Sequence, residues 1–240
     1  MALTKVSGGL IADNSVGLGQ LDGGTDGNLI TYDASGNPSH VPTGNANQVL
    51  TSNGAGATPT FQSVHAALPS GSVLEEISLF QNGSSQTVSS GTYTAGNVTA
   101  LQDLTTTYAD VTGSSINYTP PSGATRVVYS FIFHLSYYGG STTIGHYKLY
   151  LGSDEVTEAR TTIAGDYKEG QSIFSWIFLI GGSADTATGQ VADWNSAKQI
   201  KLQARISSNS YPQRLHQTYN WDGGVSGQDH PPIINIRAIK

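Results

Sequence analysis

The chain has 240 residues, of which 12% are charged, with 29 glycines, no cysteine and a net charge of −6. The lack of cysteine excludes disulfides, thiolate metal sites and a cysteine nucleophile. Between Lys5 and Arg126 there is no Lys or Arg but there are eight acids, so no electrostatic footprint for nucleic acid exists there. Scarce Lys, Glu and Arg beside plentiful Thr, Val, Ile and Tyr favour strands joined by turns, and the expected fold class is all-β.

In chain order, residues 1–26 carry sparse apolar side chains, among them Leu3, Val6, Leu10 and Ile11, between frequent glycines. Neither a stable helix nor a signal peptide fits this composition. The segment reads as an extended arm that orders against a partner. Residues 27–67 then hold one pattern written twice, twenty positions apart. Leu29-Ile30-Thr31-Tyr32-Asp33 returns as Val49-Leu50-Thr51-Ser52-Asn53, Gly36 returns as Gly56, and the copies close on Val41 and Phe61. A unit this small cannot bury its own apolar face, which predicts a short stalk that needs neighbouring units or chains.

Residues 68–240 are expected to form a head domain. Strands are predicted over Val73–Phe80, Thr107–Tyr118, Thr125–Tyr137, His146–Leu151, Val156–Ile163, Ser172–Ile180, Gln199–Ile206 and Ile233–Ile239, with 82–99 as a loop or loose edge. Strands at this spacing predict an antiparallel β-sandwich, specifically a jelly roll. In Gln199–Ile206 apolar and polar residues alternate, giving one buried and one wet face. Thr125–Tyr137 and Ser172–Ile180 are apolar on both faces, so their outer face needs a cover. Self-association supplies it, with Val128, Ile132, His134, Trp176 and Phe178 as the expected interface, and a large loop folded over the sheet is the alternative. The longest apolar stretch, Trp176 to Ile180, is far too short to span a bilayer, and no membrane insertion is expected.

No G-x-S-x-G elbow, H-E-x-x-H or Walker loop is present, and no cofactor or metal site is expected. Asp154, Glu155 and Glu158 form the densest acidic cluster. Paired carboxylates suit glycoside hydrolysis only when they face each other across a sugar, and a solvated hairpin near Arg160 is the simpler reading. His134 and His146, if on adjacent strands, still lack a third ligand. Recognition chemistry concentrates instead at Tyr211, Arg214, His216, Tyr219 and Trp221, with Tyr137, Tyr138 and Trp194 as further candidates. Such rings stack on sugar faces or partner side chains while polar groups fix orientation, and loops on a rigid sandwich are where recognition sits; the alternative is that these aromatics pack beneath the loop or across the seam between copies.

Two stretches resemble tailed-bacteriophage fibre and appendage proteins. The first comprises Met1-Ala2-Leu3-Thr4-Lys5-Val6, Gly27-Asn28-Leu29-Ile30-Thr31-Tyr32-Asp33 and Gln48-Val49-Leu50-Thr51-Ser52-Asn53-Gly54. The second begins at Pro69-Ser70-Gly71-Ser72-Val73-Leu74. It continues through Tyr108-Ala109-Asp110-Val111-Thr112-Gly113, Tyr118-Thr119-Pro120 and Tyr147-Lys148-Leu149-Tyr150 to Ile234-Asn235-Ile236-Arg237-Ala238-Ile239. It looks like the trimeric, tumour-necrosis-factor-like (C1q-like) jelly-roll heads of phage structural proteins. The resemblance implies a non-enzymatic homotrimer on the surface of a virion. Leu3, Val6, Leu10 and Ile11 would dock on other virion proteins, and the head would meet a bacterial surface polysaccharide or protein. A capsid decoration or adaptor with structural contacts alone is the first alternative, and a polysaccharide-degrading enzyme the second.

Overall fold

The computed structural model describes residues 24–36, 38–137, 142–219 and 227–240. The arm residues Leu3, Val6, Leu10 and Ile11, and the binding candidates Tyr138 and Trp221, lie outside the described residues. The chain divides into two compact units, one ending at Ala67 and the other running from Leu68 to Lys240.

In the first unit the repeat folds as one hairpin per copy. β1 (Leu29–Tyr32) pairs antiparallel with β2 (Pro38–Val41), and β3 (Gln48–Thr51) with β4 (Thr60–Ser63), before a single helical turn, α1 (Val64–Ala67). The equivalent glycines, Gly36 and Gly56, sit at φ +79° and +78°, a left-handed conformation that glycine adopts without steric cost. Around the first, the Asp33 carboxylate accepts from Ser35 N at 2.9 Å, and Gly36 N donates to Asp33 O at 3.0 Å. Around the second, the Asn53 amide donates to Thr58 O at 2.7 Å. Leu29, Ile30, Tyr32, Val49 and Leu50 nevertheless stay exposed, because two-stranded ribbons have no second layer to bury them.

The second unit contains β5 (Val73–Phe80), β6 (Ser85–Val88), β7 (Gly91–Thr94), β8 (Gln102–Asp103), β9 (Ala109–Asp110) and β10 (Ile116–Tyr118). It continues with β11 (Arg126–Tyr137), β12 (Thr142–Leu151), β13 (Asp154–Asp166), β14 (Gly170–Leu179) and β15 (Lys198–Ile206). It closes with β16 (Gln213–Leu215), β17 (Gln217–Thr218), β18 (Gln228–Asp229) and β19 (Ile233–Ile239). One sheet runs β14–β11–β19–β5, with β16 and β8 continuing beside the far end of β11. The other runs β10–β15–β12–β13, with β9 added to β15. Along the chain, β5 enters the first sheet, β10 the second, β11 the first, β12 and β13 the second, β14 the first, β15 the second and β19 the first. That winding of antiparallel strands is a jelly roll, as expected.

Two segments differ from expectation. Thr107–Tyr118 is not one strand but β9 and β10, separated by a turn in which Ser114 N donates to Val111 O at 3.1 Å and Gly113 takes φ +76°. The 82–99 stretch contains a regular hairpin, β6–β7, laced by hydroxyl pairs Ser85–Thr94 and Thr87–Thr92, each at 2.9 Å.

The core lies between the sheets. Val127, Tyr129, Phe131, Phe133 and Leu135 of β11 belong to one buried cluster with Tyr147, Leu149 and Leu151 of β12 and Ile200, Leu202, Ala204 and Ile206 of β15. Three wholly buried tyrosines each find an acceptor. Tyr129 donates to Ser114 O at 2.6 Å, Tyr118 to Glu75 Oε1 at 3.0 Å, and Tyr147 to Gln213 Oε1. Burial pushes all three hydroxyls above the ordinary tyrosine range, so each stays a neutral donor.

Candidate functional site

Strand register organises the outward face of the β14–β11–β19–β5 sheet into rows. Ile173, Ile132, Ile233 and Phe80 form one; Ser175, Ser130, Asn235 and Ser78 the next; Ile177, Val128, Arg237 and Glu76 a third; Leu179, Arg126, Ile239 and Val73 a fourth. The polar row is zipped by hydroxyl contacts, Ser130 to Ser175 at 2.9 Å and Ser78 to Asn235 Oδ1 at 2.6 Å. Apolar side chains lie on both sides of it, with Ile173 62%, Ile177 52% and Leu179 48% exposed.

Val128, Ile132 and His134 sit on this outward face. Trp176 and Phe178, expected beside them, do not. The β14 alternation turns both inward: Phe178 is fully buried with its ring edge-on to Trp194, and Trp176 is half-buried with Nε1 donating to Thr188 O at 2.9 Å. Ile173, Ile177 and Leu179 occupy the outward positions instead.

His134 closes the face at one end. Its ring stacks on His230 with centroids 4.0 Å apart, and the Thr218 hydroxyl lies 3.4 Å from His134 Nδ1 and 2.9 Å from His230 Nε2. Burial and the neighbouring His230 lower the His134 pKa, outweighing the opposite pull of Glu169. His146 belongs to the other sheet, on β12, with Nδ1 2.9 Å from the Thr162 hydroxyl, so the two histidines considered together in the sequence are not neighbours. Among the described residues no group of three His, Cys, Asp or Glu is placed to hold a metal ion.

Three binding candidates prove to be interior. Trp194 is buried, its indole N–H donating to Tyr118 O at 2.9 Å. Arg214 is buried with Nε and Nη2 on the two oxygens of Asp103 at 2.7 and 3.1 Å, and Nη1 on Gln217 Oε1 at 3.0 Å, tying β16 to β8. His216 is buried at φ +66°, and among the described residues neither ring nitrogen has a hydrogen-bond partner. Burial takes its pKa down to about 4, against a smaller upward pull from the Thr112 backbone. A long connection rich in polar and aromatic residues looks like a binding loop in sequence, yet β16 and β17 draw Arg214 and His216 into the sandwich.

Tyr211 remains exposed, and Tyr137 and Tyr219 are half-buried. Tyr137 meets Tyr219 with ring centroids 5.9 Å apart and Tyr167 at 5.4 Å. Tyr167, well exposed at φ +48° in the turn between β13 and β14, completes this tyrosine cluster and was not anticipated. The available signal was a lone aromatic in the charged turn Gly165-Asp166-Tyr167-Lys168-Glu169-Gly170.

The acidic cluster is an ion-pair site. Arg160 Nε binds Glu155 Oε1 at 2.6 Å and Lys148 Nζ binds Oε2 at 2.9 Å. Arg160 first, then Lys148, hold the Glu155 carboxyl below its ordinary pKa despite some burial. A glycosidase acid needs the reverse, a carboxyl kept protonated near neutrality.

No family model matches the chain, and no curated protein does. Among solved structures it is similar to the infectious bursal disease virus Gx strain structure, at 10% identity and a TM-score of 0.32, covering 85% of this chain and 42% of that one. It is also similar to the VP2 subviral particle of the same virus, at 10% identity and a TM-score of 0.31, covering 84% and 44%. The chain spans less than half the length of either structure. These superpositions are too loose to argue from, and the jelly roll rests on the strand pairing alone.

Proposed function

We propose that this chain is a structural component of a virus particle. Its first residues attach it, its repeat unit acts as a spacer, and its jelly-roll unit assembles as a homotrimer that meets the host surface. The observation that carries the reading is the outward face of β14–β11–β19–β5, where Ile173, Ile177 and Leu179 stand exposed beside Val128 and Ile132. Exposed large apolar side chains gathered on one sheet face, here on either side of a polar row, mark an interaction site. Burying a large aliphatic side chain stabilises by roughly 1.5–3 kcal/mol, and a symmetric assembly repeats that gain in every subunit. The second copy is the favoured cover because the exposed apolar side chains of the first unit, Leu29, Ile30, Val49 and Leu50, ask for the same treatment. Three weak surface sites on one head would then act together through avidity.

Ile177→Arg tests the assembly. Ile177 is more than half exposed on the single chain, so the substitution is expected to change folding stability by no more than about 0.5 kcal/mol while placing an unpaired charge in the interface. The expected result in sedimentation velocity is a folded single chain where the parent protein sediments as a trimer. A variant that sediments like the parent trimer would remove this face as the interface.

A further inference from the structure

The second sheet presents a different outward face. On β12, His146, Lys148 and Tyr150 point away from the core while Tyr147, Leu149 and Leu151 fill it; on β15, Lys201, Gln203 and Arg205 do the same. Register sets them side by side, His146 with Arg205, Lys148 with Gln203 and Tyr150 with Lys201. Tyr108, just before β9, joins them. Its ring centre lies 4.5 Å from Lys148 Nζ and 5.3 Å from Arg205 Cζ, and Lys201 Nζ lies 5.9 Å from the ring of Tyr150. Two carboxylates are set among the cations. Glu155 takes Lys148 and Arg160, while Asp110 takes Lys201 Nζ at 3.0 Å and the Gln203 amide at 2.8 Å.

The balance of charge is unusual for this molecule. In a chain of net charge −6, Lys148, Arg160 and Lys201 meet only Glu155 and Asp110 in these pairs, and Arg205 adds a fourth cation. Arg205 pairs with no carboxylate among the described residues, and its Nη1 donates only to its neighbour's carbonyl, Ile206 O, at 3.2 Å. Arg160 keeps more than half of its side chain in solvent.

We propose that this face binds an acidic polysaccharide, a polymer that carries a carboxylate or similar anion along its length. The inference rests on the reading of the chain as one that meets a cell surface and names the chemistry it would meet there. Alternate residues on a strand are roughly 7 Å apart and neighbouring strands about 4.8 Å, so Lys201, Lys148 and Arg205 spread positive charge over successive rows. A single small anion would engage one row; a polyanion engages all of them. Tyr108 and Tyr150 supply ring surface to sugar faces. Gln203, Asp110 and Glu155 offer acceptors to sugar hydroxyls, which a polyuronate carries on every ring and a nucleic-acid backbone largely lacks. Mixed charge therefore selects a hydroxyl-rich polyanion over nucleic acid.

The test uses the full chain with alginate as the polyuronate, dextran as a neutral glucan and a single-stranded oligonucleotide, by isothermal titration at low ionic strength. Binding to alginate is expected to be at least about tenfold tighter than to either other polymer, and to weaken on raising salt to about 0.5 M. Arg205→Gln combined with Lys148→Gln is expected to weaken alginate binding by about tenfold or more, and Arg160→Gln, an exposed position that leaves folding intact, by about threefold. Lys168→Gln, exposed in the turn between β13 and β14 and on neither sheet face, removes the same charge and leaves binding unchanged. Molar mass is measured for every protein, so a single chain that binds alginate keeps this inference and loses the trimer, while a trimer that does not bind overturns the inference alone. Equal binding of oligonucleotide or dextran, or equal losses from Lys168→Gln and Arg160→Gln, also overturns it.

Discussion

Acidifying the protein from pH 7 to pH 4 is expected to remove roughly 3 kcal/mol of folding stability through His216 alone. In the folded chain burial holds this ring at a pKa of about 4, whereas an unfolded histidine titrates near 6.5. Between those values the unfolded state binds the proton and the folded state does not. Stability is therefore complete above about pH 6.5, falls as pH drops through the window, and stops falling below about pH 4. His134, also lowered, adds to the loss in the same direction. Denaturant midpoints measured across this range check the result. His216→Asn keeps a residue tolerant of the left-handed backbone at φ +66° but removes the titrating ring. Most of the pH slope should then disappear, with the residue of it due to His134. An unchanged slope in the variant would show that the ring is not buried in its neutral form.

Glu75→Ala is expected to cost about 3 kcal/mol, because the carboxylate is the shared acceptor of a buried network rather than a surface charge. Glu75 is buried and makes no ion pair among the described residues. It accepts from the Ser89 hydroxyl at 2.7 Å, Ser90 N at 2.8 Å, the Ser90 hydroxyl at 2.6 Å and the Tyr118 hydroxyl at 3.0 Å. These bonds tie the β6–β7 turn and β10 to β5. Truncation strands the Tyr118 hydroxyl in a site with no solvent access, and that orphaned donor dominates the cost. Tyr118→Phe in the Glu75→Ala background should therefore recover about 1 kcal/mol, although in the parent the same change is destabilising. Additive losses in the double variant would mean that the two side chains do not share one network.

Much of the sandwich was legible in residue order. Val73–Phe80 and Ile233–Ile239 form strands at the predicted bounds, because each is a short apolar-rich run closed by turn residues. The 107–118 segment misled because Val111 is apolar and extended in its surroundings, while the turn at Val111–Ser114 depends on a single backbone bond and on Gly113. Sites were harder than strands. On β14 both parities are apolar, so alternation alone cannot say whether Ile177 or Phe178 faces the core; the choice depends on Trp194, which arrives from a later loop. Arg214 looked like a recognition residue because its partner, Asp103, is 111 positions away in sequence. Lys148 and Arg205 come from separate strands and Tyr108 from the residue before a third, and only sheet pairing brings them together.

The assembly of copies through the β14–β11–β19–β5 face is the claim on which the proposed function depends. Light scattering of the full chain, followed through serial dilution, measures it directly. The expected result is a molar mass of three times the 25.1 kDa chain that persists on dilution. A stable particle at the mass of one chain would contradict it, and would leave Ile173, Ile177 and Leu179 exposed on a protein that does not self-associate.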